Sequence, residues 1–370
     1  METYKLNRNV LVRLAGDACE TLMKKYTPEE LPPRGHFHYH QGVFLSGMHE
    51  TFRLTGDGKL LEYIKAWVDS LIDSCGNIIS FNPGQLDDLQ PGILLFPLYQ
   101  QSKDGRYAAA MDTIAHYLEH FPRTPEGGFW HKAWHRNEMW LDGLYLAGPF
   151  MAEYGKVFSK PAFFDLVVFQ ADMMRQVTMD PNTGLWRHAW DRDRRHEWAD
   201  PVTGRSPEFW GRSMGWVVVA LLNDLDFLPE EHPGRAALQD MARGLLTALC
   251  RYQDGETGLW YQVVDKPGQP GNWVETSCTC LYAAALCKAV RKGLMEDRFL
   301  LPAREAIRGV ISRLKHEENG ILLDNVCIGT GIGDYDFYCA RPTSVNDLHG
   351  VGAFLLMLTE AARIPGRQFI

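Results

Sequence analysis

One recurring turn restricts this chain more than any other feature. Five times a glycine is followed by a pair of bulky apolar residues: Gly76-Asn-Ile-Ile79, Gly128-Phe-Trp130, Gly184-Leu-Trp186, Gly258-Leu-Trp260 and Gly320-Ile-Leu322. The glycines stand 52, 56, 74 and 62 residues apart, and each turn lies between two stretches with helical spacing of apolar residues. A unit that returns at such intervals is an internal repeat of one supersecondary element, here a helical hairpin with a variable loop.

Periodicity supplies the helices. Leu60, Ile64, Trp67, Val68, Leu71 and Ile72 recur on one face at a 3.6-residue period. The same reasoning predicts twelve helices, near 3–24, 41–55, 57–75, 88–101, 104–121, 141–156, 160–178, 210–228, 233–253, 276–292, 297–316 and 345–362. No series of strands alternates with them, which argues against a parallel α/β sheet. Connections after even-numbered helices are short, as in Thr55-Gly-Asp57 and Ser102-Lys-Asp104, and those after odd-numbered helices are long. Six such hairpins predict an all-α (α/α)6 barrel, one domain over residues 1–370; an open solenoid of helix pairs is the alternative. In the ring, neighbouring helices run antiparallel, so the long loops collect on one face and carry the site.

Composition narrows the partners. The formal net charge of -8 argues against nucleic acid or an anionic membrane surface. No apolar run approaches a membrane span. Charges interrupt the N-terminal segment too often for a signal peptide, so a cytoplasmic protein is expected, with its eight cysteines reduced. The cysteines lack zinc-ligand spacing, and Gly329-Thr-Gly331-Ile-Gly333 has the wrong spacing for a dinucleotide loop. Eleven tryptophans offer flat faces either to sugar rings or to an aromatic core.

The long loops carry the candidate chemistry. The first holds His36-Phe-His38-Tyr39-His40, whose alternation suggests one face of an extended segment. Without a further carboxylate or histidine ligand it predicts no metal site, and Tyr39 and His40 are read as sugar contacts. Asp87 and Asp142 each stand where a helix begins on this face, Asp142 within Met139-Trp-Leu-Asp-Gly143. A carboxylate there is ordinarily a cap. Two brought together would separate their pKa values, with Trp140 raising Asp142 further and leaving it a proton donor. Basic and aromatic groups follow on the same face: His131, Lys132, His188 and Arg212, the last flanked by Trp210 and Trp216 as stacking surfaces. An arginine in a semi-dry pocket suits a substrate carboxylate; the alternative is a structural ion pair.

Taken together these segments resemble the unsaturated rhamnogalacturonyl hydrolases, glycoside hydrolase family 105. The matching stretches include His38-Tyr-His-Gln-Gly-Val-Phe44, Leu86-Asp87, Gly127-Gly-Phe-Trp-His-Lys132, Met139-Trp-Leu-Asp-Gly-Leu-Tyr145, His188-Ala-Trp-Asp191, Ser206-Pro-Glu-Phe-Trp210, Arg212-Ser213, Gly215-Trp216, Arg251-Tyr-Gln-Asp254, Gly258-Leu-Trp-Tyr-Gln262 and Asn346-Asp-Leu-His-Gly350. The resemblance runs over nearly the whole chain. It implies an (α/α)6 barrel that needs no metal or cofactor, with Asp142 as acid/base and Asp87 as its partner. It places Tyr39, His131, Lys132, His188, Arg212 and Trp216 around the substrate. Residues 133–138 depart from the family pattern just ahead of Asp142, which bears on the leaving sugar.

The reaction so implied is removal of a 4,5-unsaturated galacturonic acid from a small pectin-derived oligosaccharide by hydration of its C4=C5 bond. Three alternatives remain: the related unsaturated glucuronyl hydrolases, a conventional inverting glycosidase, and a sugar-binding protein without turnover.

Overall fold

The computed structural model describes residues 7–365. Among them are thirteen α-helices: α1 (Arg8–Lys25), α2 (Tyr39–Thr55), α3 (Gly58–Asp69), α4 (Leu95–Ser102), α5 (Gly105–His120), α6 (Asp142–Val157), α7 (Ala162–Thr178), α8 (Gly211–Phe227), α9 (Arg235–Cys250), α10 (Thr276–Arg291), α11 (Leu300–Ile311), α12 (Tyr335–Cys339) and α13 (Leu348–Ala362). All twelve predicted helices are present; residues 3–6 of the first lie outside the described residues. The five-residue α12 has no counterpart in the periodicity. The fourth helix is shorter than expected, because residues 86–88 and 90–94 form 3-10 turns ahead of α4.

The helices sort by burial into two layers. On α3, Leu60, Ile64, Trp67 and Val68 are buried and the opposite face is solvated, the stripe of an outer helix. On α10 every residue from Thr276 to Val290 is buried, which requires neighbours on all sides. The inner layer runs α2, the 90–94 turn with α4, α6, α8, α10 and α13, and α13 packs back on α2. That last contact makes a closed ring rather than an open solenoid. It is a close approach: a Cβ on Gly352 would stand 2.4 Å from the Val43 carbonyl oxygen, and one on Gly47 would stand 2.7 Å from Leu355 Cβ.

Local devices set the two faces apart. At the short-loop end, Gly56 and Lys103 take left-handed conformations that end α2 and α4. Asp57 and Asp104 then cap α3 and α5 through the backbone N–H of Lys59 and Arg106. At the other end the recurring turn folds each loop back on its helix, through bridges Ile72–Ile78, Arg123–Phe129 and Met179–Trp186. The loops pair further into four two-stranded antiparallel ribbons. One of them, β1 (Glu138–Trp140) with β2 (Ala189–Asp191), positions the site.

Candidate active site

The N-termini of α2, α6, α8, α10 and α13 converge on the long-loop face. Each contributes the positive end of a helix dipole, so an anionic ligand is favoured there. The opposite mouth, ringed by the C-termini of the same helices, holds a cavity of about 880 Å³, lined among others by Arg53, Glu153, Asp226 and Lys288. Volume does not mark the chemistry here: that mouth's cations are engaged, Arg53 with Glu50 and Lys288 with Asp226, and the paired histidines and carboxylates lie at the other end.

The β1–β2 register pairs Trp140 with Ala189, so the residues just beyond that pair, Leu141 and His188, meet. Leu141 N–H donates to the His188 carbonyl oxygen at 2.9 Å. Asp142 is the next residue and opens α6. Leu141 occupies the cap position, with no side-chain capping bond. The Asp142 carboxylate instead lies 3.1 Å from His188 Nε2, with 17% of its side chain exposed. His188 is fully buried, and its Nδ1 stands 2.7 Å from the Tyr338 hydroxyl.

These partners correct one expectation, the raised pKa of Asp142. Burial does push its carboxyl up. The His188 hydrogen bond, helped by the field of the neighbouring His188, His131 and Arg212 side chains, outweighs that and holds Asp142 below the usual carboxylate range. Trp140 contributes through packing: it stacks on His131 at 4.0 Å between ring centroids and meets His188 edge-on. Asp87 has its own cation, with Lys132 Nζ at 3.0 Å and His131 Nε2 at 4.0 Å, and it sits within a 3-10 turn rather than at the start of α4. His131 is buried between the fields of both carboxylates. Burial lowers its pKa to about 4, so it is neutral, and its Nδ1 has no hydrogen-bond partner among the described residues.

The other predicted residues divide. Tyr39 and His40 open α2, half-buried, with His40 Nε2 2.7 Å from the Tyr39 hydroxyl. Arg212 is almost fully buried. It donates to the carbonyl oxygens of Cys327 and Ile328 at 2.5 and 2.7 Å and stands 4.0 Å from the buried Glu275, so it braces the loop before α12. Its charge still reaches Tyr39 and Asp142. Trp210 and Trp216 are buried walls rather than open platforms: Trp210 donates to Gln262 and tilts against His188, and Trp216 stacks on Tyr145.

Sequence reasoning missed Tyr338, Glu275, Asp347 and His349 as parts of this centre. Tyr338 lies on α12, too short for any periodic signal. Asp347 and His349 stand within a family-like stretch but had no chemical signature alone. His36 is exposed, and His38 caps α2. The group able to hold a metal is instead His40, Asp347 and His349, whose donor atoms lie within 4.8 Å of one another. Its surroundings disfavour a dication: Asp347 and His349 pair directly at 2.7 Å, Arg212 is close, and two helix N-termini point in. A second such group, His116, Glu119 and His120, is exposed on α5.

A family model described as Glycosyl Hydrolase Family 88 matches residues 14–364. The chain belongs to that family. It is a glycoside hydrolase, and its resemblance to family 105 holds as well. A family 105 glycoside hydrolase from C. acetobutylicum ATCC 824 shares 32% identity, with a TM-score of 0.88 over 94% of this chain and 98% of its own. Unsaturated rhamnogalacturonyl hydrolase YesR from Bacillus subtilis is 27% identical over 79% of each chain. An unsaturated glucuronyl hydrolase from Bacillus sp. GL1, 15% identical with a TM-score of 0.72 over 95% of this chain and 96% of its own, shares the (α/α)6 fold. Among the described residues no helix is long and apolar enough to cross a membrane.

Proposed function

We propose that this hydrolase removes a 4,5-unsaturated galacturonic acid from the non-reducing end of rhamnogalacturonan-derived oligosaccharides, with unsaturated galacturonyl-rhamnose as the smallest substrate. The observation that carries the reading is Asp142, a partly exposed carboxylate held by His188 instead of capping its helix, on the face where helix N-termini favour an anion. The rhamnogalacturonyl relative supports this leaving group over the more distant glucuronyl one. On this reading the whole ring is one catalytic unit acting in the cytoplasm.

The unsaturated uronate is a vinyl ether conjugated to its carboxylate. Its arrival places a negative charge in a half-dry pocket beside Asp142, which raises the Asp142 pKa and lets it hold a proton. Asp142 gives that proton to C4, and positive charge develops at C5 and the ring oxygen. Water adds at C5 while the Asp142 carboxylate takes its proton back, so one water is consumed and the acid is restored. The hemiketal opens and the neighbouring sugar leaves. Asp87, fixed by Lys132, contributes hydrogen bonding and field, and neutral His131 offers an unengaged nitrogen.

The test is incubation with unsaturated galacturonyl-rhamnose, following loss of the conjugated chromophore in the ultraviolet. The same assay on unsaturated glucuronyl disaccharides decides the leaving-group question. In 18O water the label belongs at C5; label at the anomeric carbon in early product overturns the hydration route.

A further inference from the structure

Trp134 is 58% exposed, while every other tryptophan is buried or half-buried. An exposed indole leaves a large apolar face in water. This one is held in place. Ala133 N–H donates to the Gly84 carbonyl oxygen at 2.7 Å, and His135 N–H to the Lys132 carbonyl oxygen at 2.9 Å. Lys132 also pairs with Gln85 as a β-bridge, so the Trp134 turn is tied to the segment that carries Asp87. The indole packs over Gly84, where a Cβ would lie 3.4 Å from Trp134 Cζ3. Lys132 Nζ stands 5.8 Å from the ring centroid and 3.0 Å from Asp87.

We propose that Trp134 is the stacking platform for the sugar on the leaving side of the scissile bond, a neutral pyranose presenting its C–H face. This rests on the uronyl-hydrolase reading above. The indole is a rigid flat surface at the rim, one side chain away from Asp87. Its neighbours Lys132 and His135 are hydrogen-bonding groups rather than further apolar surface. A single ring in polar surroundings suits a carbohydrate; a protein partner would call for a contiguous apolar patch. The turn is braced by backbone hydrogen bonds, so the platform is formed before the sugar arrives.

The experiment compares Trp134→Ala with wild type on two substrates that share the unsaturated uronate: unsaturated galacturonyl-rhamnose and the methyl glycoside. The variant loses about tenfold in kcat/KM on the disaccharide, mostly through KM, and matches wild type on the methyl glycoside. Trp134→Tyr restores most of the loss. Equal losses on both substrates make the residue structural, and no loss on either removes it from the site; each overturns the assignment while leaving the uronyl-hydrolase reading intact. If wild type turns over neither substrate, that reading falls and the assignment with it. A wild-type dimer that Trp134→Ala dissociates would reassign the indole to an interface between copies.

Discussion

His188 presents an N–H to Asp142. The two are 3.1 Å apart, and burial keeps the imidazole neutral, so it carries one ring proton. A carboxylate only accepts, so that proton sits on Nε2, and Nδ1 accepts from the Tyr338 hydroxyl at 2.7 Å. The polarity of the chain from Tyr338 to Asp142 is therefore set in one direction.

Replacing Asp142 with Asn keeps the shape and removes the proton. Turnover of unsaturated galacturonyl-rhamnose falls by roughly 10²–10⁴ with an unchanged melting temperature, since general acid–base catalysis contributes about that much. A variant that keeps more than about a tenth of wild-type turnover reduces Asp142 to a helix-terminal residue.

Tyr338→Phe leaves His188 Nδ1 without its donor and frees the ring to change tautomer. The bond that lowers the Asp142 pKa loosens, so that pKa rises. Because Asp142 must be protonated to act, the descending limb of the pH–rate profile moves to higher pH while the maximal rate drops. A limb that stays in place assigns Tyr338 to packing alone.

Arg212→Ala strikes the fold as well as the substrate. Its loss leaves the buried Glu275 carboxylate without its cation and the Cys327 and Ile328 carbonyls without donors. Breaking such a buried pair destabilises by about 3–5 kcal/mol. Calorimetry records a large fall in melting temperature. A variant that melts like wild type and only binds the uronate weakly would restore the carboxylate-pocket role suggested by the sequence.

Glu153 gives a stability signal at the other mouth. Burial lifts its carboxyl from the ordinary 4.5 to about 8. Between those values the folded state holds a proton that the unfolded chain releases, so stability falls as pH rises, by about 1.4 kcal/mol per unit. Glu153→Gln removes this dependence. Its melting temperature exceeds wild type above pH 8, and the gap closes as pH falls toward 4.5. Parallel curves across that range would refute the assignment.

Chelators leave turnover unchanged, because Asp347 pairs with His349, His40 bonds to the Tyr39 hydroxyl, and the Arg212 charge reaches both His40 and Asp347. A loss on chelation that zinc or manganese restores would make that trio a metal site.

The hairpin repeat, the helix positions and the face bearing the loops were legible in the chain, because apolar spacing, glycine turns and aspartate caps act within a few residues. Asp57 and Asp104 announce the helices they cap. Asp87 and Asp142 were also visible, as carboxylates placed where helices start. The Asp142 environment was not: its histidine arrives through the register of two three-residue strands, and the expected upward shift in pKa turned downward.

Sequence alone therefore determined the repeating unit, its number and the family to which it belongs. Tertiary structure decided closure, through the glycine-to-backbone approach of α2 and α13. It also decided which side chains stay open, burying Trp210, Trp216 and Arg212 and leaving Trp134 at the rim. It brought Tyr338 to His188 across 150 residues of chain. Local periodicity encodes which face of a helix is apolar; it carries no information about which distant loop will supply the partner of a charge placed at that helix's end.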